Sequence, residues 1–128
     1  MPSDKRKFGD IGEKEAEQFL KGKGYEITGK NYRVKNLGEI DIITKKNNRI
    51  IFFEVKTRSA GYEEAYPIEF SITQKKIRNL KRICQIYLIQ NKYPLNTKWR
   101  VDSIFVLKNT TGESKIRHLE NIVWEEYY

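Results

Sequence analysis

Asp41, Glu54 and Lys56 are spaced as Asp-x12-Glu-Val-Lys. Two carboxylates supply hard oxygen ligands of the kind Mg²⁺ or Mn²⁺ prefers. A neighbouring ammonium offsets charge that develops on a phosphoryl group under attack. This is a set suited to hydrolysing a phosphodiester, with a divalent cation polarising phosphoryl oxygens and acidifying a water. Lys56 lies two residues beyond Glu54, hence on the same face of a strand, and the carbonyl of Val55 between them is a candidate further ligand.

The flanking residues bring these groups together. Residues 40–44 and 50–57 are apolar, β-branched runs separated by the turn-forming pair Asn47-Asn48. A hairpin symmetric about that pair sets Asp41 opposite Glu54 and Glu39 opposite Lys56. Opposed side chains on one face have Cβ atoms roughly 5 Å apart, where like charges repel. A cation between Asp41 and Glu54 resolves that repulsion, whereas a Glu39–Lys56 cross-strand ion pair contributes little by itself. Strict alternation puts Glu39, Asp41, Ile43, Ile50, Phe52, Glu54 and Lys56 on one face, and Ile40, Ile42, Thr44, Ile51, Phe53 and Val55 on the other. Both faces are apolar near the turn, as in a central strand pair covered on both sides. The charges gather at the far end, where half-buried carboxylates need partners.

Helical spacing of Ile11, Ala16, Phe19 and Leu20 predicts a first helix over residues 10–23, closed by Gly24. Residues 1–7 are polar and expected to be loosely held. A strand over 25–35 precedes the hairpin, and a loop over 59–67 follows it. Ser71 or Thr73 can cap a helix over 73–90 whose apolar stripe is Ile77, Leu80, Ile83, Cys84, Tyr87 and Leu88. Strands are expected over 99–108 and 115–123. The order α-β-β-β-α-β-β describes an α/β fold of the α+β type, a mixed sheet flanked by helices, as one domain over residues 1–128. Glu13 shares a stripe with Ala16 and Leu20 that aims it at the sheet. As an acid in the first turn of its helix it would instead answer the macrodipole.

The net charge of +8 is concentrated in one stretch: residues 71–100 hold eight basic side chains and no acid, and basic and acidic residues balance elsewhere. Such a surface suits a polyanion backbone, which releases counterions when neutralised. Lys75, Lys76, Arg78 and Arg82, with Arg58 at the end of the hairpin, are the expected contacts. No segment has the apolar length of a membrane span, and the opening residues lack the apolar stretch of a secretory leader. One cysteine, Cys84, sits among apolar helix positions, so a reducing cytoplasm is the expected setting. His118, the one histidine, lacks the partners for Ser-His or zinc chemistry, and Gly9-x-x-Gly12 is too short for a phosphate loop. Trp124, Tyr127 and Tyr128 are expected to plug the core or to join two copies as a homodimer.

The set Gly9-x-x-Gly12-Glu13, Gly24-Tyr25, Asn31-Tyr32-Arg33, Gly38-Glu39-Ile40-Asp41, Phe53-Glu54-Val55-Lys56-x-Arg58, Lys76-x-x-x-Leu80 and Arg100-x-Asp102 resembles the small bacterial YraN-like family of uncharacterised proteins. That resemblance implies a restriction-endonuclease-like αβββαβ core related to Holliday-junction resolvases, and DNA rather than RNA as partner. It implies Asp41 and Glu54 as metal ligands, Lys56 as the catalytic lysine, and Glu13 as the helix acid that completes the site. Ile40 stands where that superfamily usually has proline before the metal-binding Asp. The expected function is a Mg²⁺- or Mn²⁺-dependent endonuclease on DNA, branched or structured; the alternative is a non-catalytic nucleic-acid-binding module on the same scaffold.

Overall fold

Two adjacent asparagines reverse the chain at the centre of the sheet. Asn47 and Asn48 have φ of 51° and 62°, the left-handed pair that a tight two-residue hairpin requires. In the computed structural model, which describes residues 3–59 and 73–123, the turn joins β2 (Gly38–Lys46) to β3 (Arg49–Ser59) in the expected register, Lys46 opposite Arg49 through Ile42 opposite Phe53. The other elements are α1 (Asp4–Gly22), β1 (Glu26–Val34), α2 (Gln74–Gln90), β4 (Trp99–Lys108) and β5 (Ser114–Leu119). The expected loop beyond Ser59, the alternative cap Ser71 and the aromatic tail from Trp124 lie outside the described residues.

The five strands form one sheet in the order β1-β2-β3-β4-β5, with β3 and β4 parallel and the other pairs antiparallel. The connection between the parallel strands carries α2. One face packs Ile43, Ile50, Phe52 and Val101 against Leu80, Ile83, Cys84 and Leu88 of α2. The other packs Ile42, Ile51, Phe53, Ile104 and Val106 against Ala16 and Leu20 of α1. A sheet covered on both sides explains why its central strands are apolar on both faces.

Four expectations are corrected. The first helix starts at Asp4 rather than residue 10, so residues 4–7 are its opening turn and not a loose arm. The Ser3 hydroxyl caps it by accepting from Arg6 N–H at 3.1 Å, a signal that the later apolar stripe does not contain. Glu13 is therefore mid-helix and does not answer the macrodipole; Asp4 is the acid in the first turn. Ile40, placed by alternation on the face of Ile42, packs instead in the α2 cluster with Ile43, while Ile42 packs against α1. Two residues three apart on one face mean that the pleat is interrupted at Asp41. Finally, β5 ends at Leu119 rather than residue 123. Asn121 turns the chain with φ 58° and donates its N–H to Asp102 Oδ1 at 2.9 Å, and Val123 then folds into the α2-side core.

Gly12 fixes how α1 lies on the sheet. A Cβ there would stand 1.8 Å from Thr57 Oγ1 on β3, so the helix approaches that strand backbone-first. Gly12→Ala is expected to destabilise the fold by about 1–3 kcal/mol through overpacking, read as a lowered midpoint in urea unfolding; an unchanged midpoint would contradict this packing.

Candidate active site

The β2–β3 ladder stops at Ile42 opposite Phe53, while β3 continues beside β4 as far as Ser59. One residue past the last pair, Asp41 Oδ2 accepts a hydrogen bond from Val55 N–H at 2.7 Å. A side-chain carboxylate thus takes the place of a strand carbonyl, and the two strands part around it. The N–H and C=O of one strand residue face the same neighbour, so Val55 turns its carbonyl toward the same opening. Burial pushes the Asp41 carboxyl up to about 7; the Val55 hydrogen bond opposes this, and the charges of Glu13, Glu54 and Glu39 add to it.

Glu54 follows on β3 and is 5% exposed. Its Oε1 lies 3.0 Å from Lys56 Nζ and also pairs with Lys76 Nζ, which reaches in from the first turn of α2. Burial draws the Lys56 ammonium down most strongly, but the charge of Glu54 and the hydrogen bonding to Lys76 and Glu54 together leave the group above its ordinary value. Lys76 stays below its ordinary value, because burial and the neighbouring Lys56 outweigh Glu54. Asp41, Glu54, Val55, Lys56, Lys75 and Lys76 all line one cleft of about 440 Å³ between the sheet and α2.

On the α1 side a second cleft of about 460 Å³ is lined by Arg6, Asp10, Glu13, Asn31, Glu39 and Asp41. Asp41 and Glu39 line both clefts, so the parting of the strands runs from one to the other. Asn31, with φ 53° on the neighbouring strand, has its amide between two carboxylates: in the orientation that satisfies both it donates to Glu13 Oε1 at 3.2 Å and Glu39 Oε1 at 3.0 Å. The Glu13 carboxyl is raised, first by burial and then by Glu39 and Asp10. The expected Glu39–Lys56 pairing does not form. Glu39 pairs with Arg33 across β1–β2 at 3.1 Å, and Lys56 turns to Glu54, because the β2–β3 ladder has ended before their level.

Of the other basic residues expected to meet nucleic acid, Arg58 is half-buried and donates to the Thr57 carbonyl at 2.9 Å. Arg78 and Arg82 are exposed farther along α2, outside both clefts. Among the described residues no three Asp, Glu, His or Cys side chains gather closely enough to hold an ion unaided. The donors on offer are the oxygens of Asp41 and Glu54 and the Val55 carbonyl, with Glu13 behind Asp41. This sparse, all-oxygen set fits Mg²⁺ or Mn²⁺, which retain waters, better than zinc.

A second buried carboxylate, in the Arg100-x-Asp102 motif, was given no structural role from the sequence. Asp102 is 0% exposed and is bound by Arg100 Nε at 2.9 Å, His118 Nε2 at 2.8 Å and Asn121 N–H. An acid in the middle of the apolar strand Trp99–Lys108 was the available sign. Cys84 is buried and burial raises its thiol, which makes it inert.

A five-stranded mixed sheet with a helix on each face, in the order α-β-β-β-α-β-β, defines a mixed α/β domain built on the expected αβββαβ core, with a carboxylate–lysine cleft where β2 leaves β3. Within that class the chain belongs to the uncharacterised protein family UPF0102, whose family model matches residues 12–106. The matched span takes in Glu13, Asp41, Glu54, Lys56 and the whole of α2. A UPF0102 protein of Caldicellulosiruptor saccharolyticus is 45% identical over 109 residues, 85% of this chain and 89% of that protein. Those of Acetivibrio thermocellus and Aliarcobacter butzleri are 43% and 40% identical, over 87% and 89% of this chain and 83% and 94% of theirs.

The raised Asp41 carboxyl carries a pH signature. Its folded value of about 7 lies above the ordinary 3.8, so between those values the folded chain holds a proton that the unfolded chain has released. Stability then falls as pH rises from about 4 to about 7 and levels off above. Asp41→Asn removes this loss: in chelator, its stability relative to wild type should be greater at pH 8 than at pH 4, by up to about 4 kcal/mol. Parallel urea titrations of the two proteins check it, and a pH-independent difference would refute it.

Proposed function

We propose that this protein is a metal-dependent endonuclease acting on DNA, in particular on branched or structured DNA. The observation that carries the reading is the meeting of Asp41, Glu54 and Lys56 at one opening in the sheet, beside the basic first turn of α2. A bound Mg²⁺ or Mn²⁺ would polarise phosphoryl oxygens and lower the pKa of a coordinated water. Asp41, Glu54 and the Val55 carbonyl would hold it, with Glu13 acting from the α1 side through the carboxylates around Asp41. Lys56, beside Glu54, is placed to orient the attacking water and to balance charge on the phosphoryl oxygens. Lys75, Lys76, Arg78 and Arg82 carry positive charge along α2, and Arg58 extends it at the end of β3. A cytoplasmic setting suits a chain with one buried, free cysteine. No helix of the described residues is long and apolar enough to cross a membrane.

One observation favours a second reading, a non-catalytic nucleic-acid-binding module. Glu54 is already neutralised by two lysines, and among the described residues no three acidic side chains gather closely enough to hold an ion.

Incubation with Mn²⁺ and a panel of junction, flap, single-stranded and duplex DNA separates the two. Endonuclease action predicts cutting that requires the metal and drops on the order of a hundredfold or more in Asp41→Ala, Glu54→Ala and Lys56→Ala. Clean folding and tight binding without cutting would replace it with the binding module. On either reading, binding should weaken steeply with salt. Substituting Arg78 or Arg82 should lower the slope of log affinity against log salt by roughly one each, while Asp41→Asn leaves binding in chelator unchanged. A salt-insensitive affinity would contradict both.

A further inference from the structure

One oxygen of Glu54 holds two ammonium groups. Lys56 Nζ is 3.0 Å from Oε1, and Lys76 Nζ pairs with the same atom. The two lysines differ in how they are held. Lys56 sits two residues along the same strand and face, so its ammonium remains beside Glu54. Lys76 comes from a separate element, the capped first turn of α2, and its side chain is 31% exposed toward the cleft. Two cations on one anion leave a surplus positive charge at contact distance. A divalent ion binding the same carboxylate would meet both at close range, where Coulomb repulsion between like charges is strong. One ammonium must leave, and the one that can is Lys76.

We propose that Lys76 is a built-in counter-cation: it occupies Glu54 in the metal-free protein and must be displaced before a divalent ion can bind there, so it sets the cation affinity of the site. This rests on the metal-dependent reading above and adds a control on it, a site held shut by its own lysine.

Calorimetric titration of Mn²⁺ into wild type, Lys76→Gln, Lys76→Met, Asp41→Ala and Lys115→Gln tests it. Lys115 is exposed on β5 and lines neither cleft, so its variant removes equal charge away from Glu54. Lys56 remains to pair with Glu54 in every variant, and thermal melting verifies folding. Both Lys76 variants should bind Mn²⁺ about tenfold more tightly than wild type, and Lys115→Gln should differ by less than about twofold. Unchanged or weaker binding in the Lys76 variants, with wild-type binding still dependent on Asp41, would overturn the counter-cation alone. No Mn²⁺ binding in wild type or variants would overturn it together with the metal-dependent reading.

Discussion

The hydrogen bond from Val55 N–H to Asp41 Oδ2 is the contact on which the site's architecture turns. Where an ordinary antiparallel pair would continue its ladder, a carboxylate enters from β2 and takes the donor that a backbone carbonyl would have used. The ladder ends one residue earlier, at Ile42 and Phe53, and the strands diverge. β3 keeps its place because β4 pairs with it over the full length to Ser59. β2 keeps its place because β1 pairs with it down to Gly38. The opening thus lies between two strands that are each held by hydrogen bonding on the outer side.

The cost falls on Asp41 itself. Its carboxyl is desolvated, faces three other acids and has no cation paired with it among the described residues. Asp102, at the other side of the sheet, shows what a structural buried carboxylate looks like. An arginine, a histidine and a backbone N–H saturate both of its oxygens, and together they pin the chain where it leaves β5. Buried acids with a complete set of partners stabilise; buried acids lacking one are the groups that bind ions or protons. The two aspartates lie in one fold, so the contrast reflects their surroundings and not their chemistry.

Charge is graded across the same opening. The α1 side carries Glu13, Glu39 and the bridging Asn31 amide, and the α2 side carries Lys56, Lys75 and Lys76 around Glu54. Asp41 stands between the two. On the reading proposed above, a cation would approach from the acidic side and a polyanion from the basic one.

How much of this was legible in the sequence follows from the range of the forces involved. The Asn47-Asn48 turn set the β2–β3 register, because a two-residue turn leaves one pairing and both asparagines tolerate positive φ. The strand Trp99–Lys108 and the Thr73-capped helix were readable for similarly local reasons. The side on which Ile40 packs, the partner of Glu39 and the doubled lysines on Glu54 were not readable from one strand's alternation. Each depends on where β1, α1 and α2 arrive, and these elements are distant in the chain. Residue type and short-range period determined which groups were available and which strands would carry them. Only tertiary packing, by excluding water and choosing neighbours, decided which carboxylate was left without a counter-charge.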